Sequence, residues 1–133
     1  MGFQRFKSLL RILRFDDKST RNARFRNDKF AAIREIFTKF QEAILRLYWP
    51  HDTIAIDEQL YPSRNRCPFL QYMPKKPSKF GIKFWMAVDT ETHYVLTINP
   101  YLGKENEHRQ GTLGESVVLK LVAPFNKSGC EIV

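Results

Sequence analysis

The chain has 133 residues, enough for one modest domain with its own core. Hydrophobic residues make up 43%, including eleven Phe and two Trp, which excludes a disordered polar chain. The net charge of +8 is uneven: residues 1–50 hold twelve Lys/Arg against five Asp/Glu (+7), and residues 51–133 hold ten against nine (+1).

A basic front half points to a polyanionic partner, nucleic acid ahead of membrane, with a solvated surface as the bland alternative. Cys67 and Cys130 are far apart and form no Cys/His ligand pattern, so neither zinc nor a structural disulfide is expected, which fits a reducing compartment. No apolar run nears the roughly 18 residues that span a bilayer, so no membrane partner is expected. Met1-Gly2 lacks the Ser or Thr that myristoylation needs, since Phe6 stands there, and there is no Gly-rich phosphate loop.

In chain order, residues 3–14 read as an amphipathic helix with Phe3, Phe6, Leu9, Leu10 and Leu13 on one face. Asp16 to Thr20 is a polar break, and Arg21 to Arg26 an irregular linker. A helix follows from about Asp28, capped by Asn27 or Asp28, to Leu47. Its stripe of Phe30, Ile33, Phe37, Phe40, Ile44 and Tyr48 reads as core, with a dimer contact as the alternative. Trp49-Pro50 ends it, because proline cannot continue the hydrogen-bond ladder.

Residues 53–57 predict a strand ending on Asp57. Residues 61–79 carry four prolines and predict an ordered loop. Residues 80–89 alternate as a second strand, Asp89 to Thr92 is a hairpin turn, and residues 93–101 return as a third. After a polar loop from Gly103 to Gly111, Leu113 to Val122 is a helix stopped by Pro124. Ser128-Gly129 turns into a strand at Cys130 to Val133 that ends without a polar terminator, as if cut inside the element. The fold class expected is α+β or α/β: a helical region, then the β-β-β-α-β opening of an RNase H-like fold, truncated. The crossover helix lets the last strand lie parallel to the first.

Asp57 is the candidate catalytic and metal-binding residue, with a turn or cap residue as the ordinary reading of an Asp after a strand. Two-metal phosphodiester chemistry needs several carboxylates, and Mg²⁺ prefers such hard oxygen ligands. From Gln59 to Val88 there are six cations and no acid: Arg64, Arg66, Lys75, Lys76, Lys79 and Lys83. Phosphate contact is their functional reading, solvated loop charge the alternative. Asp89 reads as a turn residue and Glu58 as structural, because alternation turns Glu58 to the face opposite Asp57. Glu115 suits the start of the crossover helix. Phe69, Tyr72 and Phe80 read as core or loop anchors rather than base-stacking platforms. The histidines, His51, His93 and His108, receive no role.

The run Asp57-Glu58-Gln59-Leu60, then Arg66-Cys67-Pro68-Phe69 and Gln71 to Lys83, resembles the piggyBac family of DDE transposases. Val88-Asp89, Tyr101 to Lys104, Leu113-Gly114-Glu115 and the stretch from Arg5-Phe6 to Phe15 extend the resemblance. It departs from the family at Tyr61 to Arg66, where Asn65 replaces a glycine. The resemblance implies a helical dimerisation and DNA-binding region over residues 1–50 and the start of an RNase H-like catalytic domain over residues 51–133. It implies Mg²⁺-dependent DNA cleavage and strand transfer, terminal-repeat and TTAA target DNA as partners, a homodimer, and a nuclear location. It matches Asp57 to the first catalytic aspartate and puts the second just past Val133, leaving this chain catalytically incomplete. A DNA-binding or interaction module, or a non-functional gene remnant, is the alternative.

Overall fold

The computed structural model describes residues 1–103, 113–126 and 129–133. The loop expected from Gly103 to Gly111 lies almost wholly outside those residues, as does Ser128 of the expected Ser128-Gly129 turn. The chain divides into two compact units, Met1–Lys39 and Phe40–Val133.

In the first unit, α1 (Phe3–Ile12) matches the expected amphipathic helix but buries none of its residues. The stretch expected as a polar break and linker is instead a helix, α2 (Lys18–Phe25). Two adjacent acids account for the difference. The Asp17 carboxylate caps the helix, accepting from the Ser19 amide at 2.8 Å and its hydroxyl at 2.7 Å. Asp16, nearly buried, pairs with Arg21 at 2.5 Å and also with Arg24. Hydrogen bonds from Arg21 and then Arg24 hold the Asp16 carboxyl below its usual range. Arg24 further donates to the Ala31 carbonyl at 2.9 Å. These arginines tie the unit together, so part of the basic front half is internally spent.

Residues 28–33 form turns rather than the start of the long helix. The Asp28 carboxylate takes the Phe30 amide at 2.8 Å and the Arg34 guanidinium at 2.7 and 2.9 Å, which closes a turn before the helix begins. Phe30 is buried and meets Phe37 edge-on, with ring centroids 5.1 Å apart. The helix proper is α3 (Arg34–Leu47), and none of its residues is fully buried. The stripe expected as core is therefore only partly so: Phe30 is buried, whereas Ile33 and Phe40 are exposed.

The second unit is built on a five-stranded sheet. Its elements are β1 (Thr53–Pro62), β2 (Leu70–Tyr72), β3 (Phe80–Asp89), β4 (Val95–Pro100), α4 (Leu113–Val122), a 3₁₀ turn at Ala123–Phe125, and β5 (Glu131–Ile132). β1 is twice the expected length and carries Asp57 in its middle. Asp and Glu are poor strand formers, yet β3 offers an antiparallel partner all the way from Ile54 opposite Asp89 to Pro62 opposite Gly81. β2 forms inside the proline-rich segment and pairs with the start of β3; β4 pairs with the rest of that edge. β5 lies parallel to β1 on its other side, Thr53 beside Glu131 and Ile54 beside Ile132, as expected.

Alternation puts Ile54, Ile56, Glu58 and Leu60 on one face of β1, and Ala55, Asp57, Gln59 and Tyr61 on the other. The first face carries the core. Ile54, Ala87 and Leu96 pack against Val117 and Leu121 of α4 and against Phe125. Leu45 and Tyr48, at the end of α3, close over its edge, and the Gln41 side chain binds the backbone of β4. Gly81 is fixed by proximity: a Cβ there would sit 2.3 Å from the Tyr61 carbonyl oxygen.

Candidate active-site strand and nucleic-acid interface

Asp57 is exposed on β1, opposite Met86. One carboxylate oxygen accepts the Glu58 amide at 2.6 Å; the other has no hydrogen-bond partner among the described residues. Beside it, the Val133 amide bonds the Ile54 carbonyl and the Val133 carbonyl accepts the Ile56 amide, each at 3.0 Å. A parallel strand thus runs next to the segment that carries Asp57. As an exposed hard oxygen donor, Asp57 fits one position in a divalent-metal shell. Among the described residues no group of three or more His, Cys, Asp or Glu comes together to hold a metal ion.

Asp89 is not such a partner. It lies opposite Ile54, on the other face of the sheet, and is fully buried. Burial opposes its ionisation. That effect is outweighed by the Thr92 and His51 amides at 2.9 and 2.7 Å, the His51 ring at 3.0 Å and the Thr92 hydroxyl at 3.1 Å, which leave its carboxyl well below the usual range. The Glu91 amide donates as well, at 2.9 Å. Asp89 is the turn residue expected, and also the anchor that ties the hairpin to the start of β1. Its hydrogen bond raises the pKa of His51, a residue for which sequence reasoning found no role. The two stand 38 positions apart, so no local spacing signals the pair. Tyr48 completes the cluster, its hydroxyl 2.9 Å from the His51 ring and 2.8 Å from the Thr92 hydroxyl.

The six loop cations separate into two sets. Lys83 points to the core face, ion-paired with Glu58 and lying over the Trp85 ring at 4.3 Å and the Tyr101 ring at 5.6 Å. Glu58 is thus structural, as expected. Arg64, Arg66, Lys75 and Lys79 are exposed and Lys76 is half-buried. These five make no ion pair among the described residues. Lys76 lies beside the end of β1, lining with Gln59, Leu60, Pro62, Pro77 and Ser78 a cleft of ≈ 350 Å³. The loop folds back through bonds from the Ser63 amide to the Phe80 carbonyl (3.2 Å) and from the Met73 amide to the Lys79 carbonyl (2.8 Å). Of the aromatic residues expected as anchors, Phe69 is buried, but Tyr72 and Phe80 are exposed.

The described residues thus give a helical region followed by a mixed α+β unit, with an exposed carboxylate in the middle of β1 and a cationic loop at that strand's end. The family described as Transposase IS4 matches residues 1–133. Human PiggyBac transposable element-derived protein 3 is 32% identical over 96 residues, covering 70% of this chain and 16% of that protein. The human chimeric ERCC6-PGBD3 protein is also 32% identical over 96 residues, with 70% of this chain and 9% of that protein covered. A solved piggyBac transposase, in a synaptic complex with hairpin DNA, superposes with a TM-score of 0.84 at 42% identity, covering 94% of this chain and 26% of that one. The chain belongs to the piggyBac-type transposases of this family. It spans only a minor part of the length of each of these relatives.

Proposed function

We propose that the chain is a part of a piggyBac-type DDE transposase. A helical dimerisation and DNA-binding region over residues 1–50 would precede the start of an RNase H-like catalytic domain over residues 51–133. One observation carries the reading. β5 returns through α4 to lie parallel to β1, next to the segment that presents Asp57 to solvent. That return supports an RNase H-like strand order, and by register a residue two positions beyond Val133 would stand level with Asp57.

In this reading Asp57 holds one Mg²⁺ of the site. When bound, a metal pair supplies charge stabilisation for the attacking and leaving oxygens of a phosphodiester. The chain's own part is to keep Asp57 on a rigid central strand and to bring DNA to it. Arg64, Arg66, Lys75, Lys76 and Lys79 contact phosphates at the end of that strand. Lys83 belongs to the same cationic run, with its charge shared with Glu58. Among the described residues no carboxylate cluster forms around Asp57 to assemble a metal pair, so in this reading the 133-residue chain binds DNA without cleaving it. Terminal repeats and TTAA target sites are the DNA proposed, in the nucleus. The exposed apolar side chains of α1 are the proposed homodimer contact.

A gel shift on terminal-repeat DNA, with a cleavage assay in Mg²⁺ alongside, tests this. Binding that weakens steeply with salt, without cleavage, is expected. Absence of binding at low salt would defeat the proposal, and cleavage abolished by Asp57→Ala would refute the claim of inactivity.

A further inference from the structure

We propose that Tyr72 and Phe80, with Tyr61 beside them, form a stacking platform for unpaired DNA bases. The proposal rests on DNA being the partner and adds which state of DNA this surface takes. Tyr72 stands directly opposite Phe80 across β2 and β3. Their ring centroids are 4.9 Å apart at an interplanar angle of 39°. Both rings are about half exposed, at 58% and 46%, and Tyr61 is 64% exposed. By register all three lie on one face of the sheet. Tyr61 is opposite Ile82, Phe80 is two residues before Ile82, and Tyr72 faces Phe80.

That face is the one that carries Asp57. Tyr61 lies four residues further along the same strand, so the platform starts about 13 Å from the carboxylate at about 3.3 Å per residue. The surrounding charge selects the occupant. The Met73–Lys79 backbone bond closes a short turn immediately beyond the aromatic pair, and Lys75, Lys76 and Lys79 all sit in it. No Asp or Glu occurs between Gln59 and Val88. An apolar polypeptide would gain nothing from that charge, whereas a polyanion would gain a counter-charge for every phosphate. Aromatic faces stack on bases only when those bases are free of their own stack, so unpaired nucleotides fit and intact duplex does not.

The test is fluorescence anisotropy of the 133-residue chain with a labelled mixed-sequence single strand and with the duplex of the same sequence. Tyr72→Ala is expected to weaken single-strand binding about tenfold or more and duplex binding less than about twofold, while Tyr72→Phe keeps both. Phe80→Leu should act in the same direction, with thermal melts confirming that each variant is folded. Equal effects of Tyr72→Ala and Phe80→Leu on both DNAs, or none on either, overturn the platform while leaving DNA binding intact. No binding of either DNA by the unsubstituted chain removes the underlying reading and the platform with it. A dimer that Tyr72→Ala converts to monomer, with single-strand affinity unchanged, assigns the surface to a second copy and also overturns the proposal.

Discussion

Replacing Arg64, Arg66 and Lys79 together by Gln removes three exposed cations that have no ion-pair partner among the described residues. Taking one cation away from a phosphate should raise the slope of log K against log salt by about 0.9 on duplex DNA, so the triple variant shifts it by about 2.7. Over a fourfold rise in salt, from about 50 to about 200 mM, the fall in affinity then shrinks by about 40-fold relative to the parent chain. The change in slope is the quantity to read, because the basic first unit adds to the absolute value. Lys83→Gln supplies the contrast: its charge is shared with Glu58 and covered by Trp85, so the slope should stay within about 0.3 of the parent. Anisotropy titrations at five or six salt concentrations measure both. A triple variant with the parent slope would refute the assignment of the loop to phosphate binding, and so would a Lys83→Gln shift as large as that of an exposed lysine.

The fold supplies further tests. Lys83→Gln leaves the Glu58 carboxylate without its cation in a half-buried site and should cost about 1–2 kcal/mol by chemical denaturation. Gly81→Ala drives a methyl group into the Tyr61 backbone and should destabilise by about 1–3 kcal/mol, whereas Gly114→Ala, with open space around it, should be neutral or stabilising by up to about 1 kcal/mol. Both are read from melting curves. Because the Asp89 carboxyl is held below its unfolded value, its contribution is present above about pH 4 and is lost as the pH falls. Asp89→Asn should therefore flatten the acid limb of the stability profile. The raised pKa of His51 works in the opposite sense, its contribution full below about pH 6.5 and lost as pH rises through the folded value. A His51 ring titration by NMR with a midpoint below about 6.5 would contradict this. Gln41→Ala removes the side-chain bonds to the Leu96 carbonyl (3.3 Å) and from the Ile98 amide (2.9 Å), and should speed hydrogen exchange at Ile98 and cost about 1 kcal/mol.

Local patterns in the sequence already carry much of this architecture. Period-two alternation marks β3, and period-3.6 spacing bounded by Pro124 marks α4, because those segments form in the state their own residues favour. The parallel return of β5 is one the crossover helix allows. Family membership is legible in the run from Asp57 to Lys83, and so is the acid-free charge around it. Interactions distant in sequence decided the rest. β1 continues past Asp57, although Asp and Glu disfavour strands, because β3 supplies the hydrogen bonds. α2 is the exception: it forms in an expected linker through local contacts, Asp17 capping it and Asp16 pairing with its arginines within eight residues. Lys83 differs from its neighbouring cations only through Glu58 and Trp85, which reach it across the sheet. His51 gained a partner 38 residues away, and Tyr72 and Phe80 became an exposed pair rather than anchors once β2 aligned with β3. Apart from α2, the residue's environment in these cases is set by pairing with another strand, which local periodicity does not place.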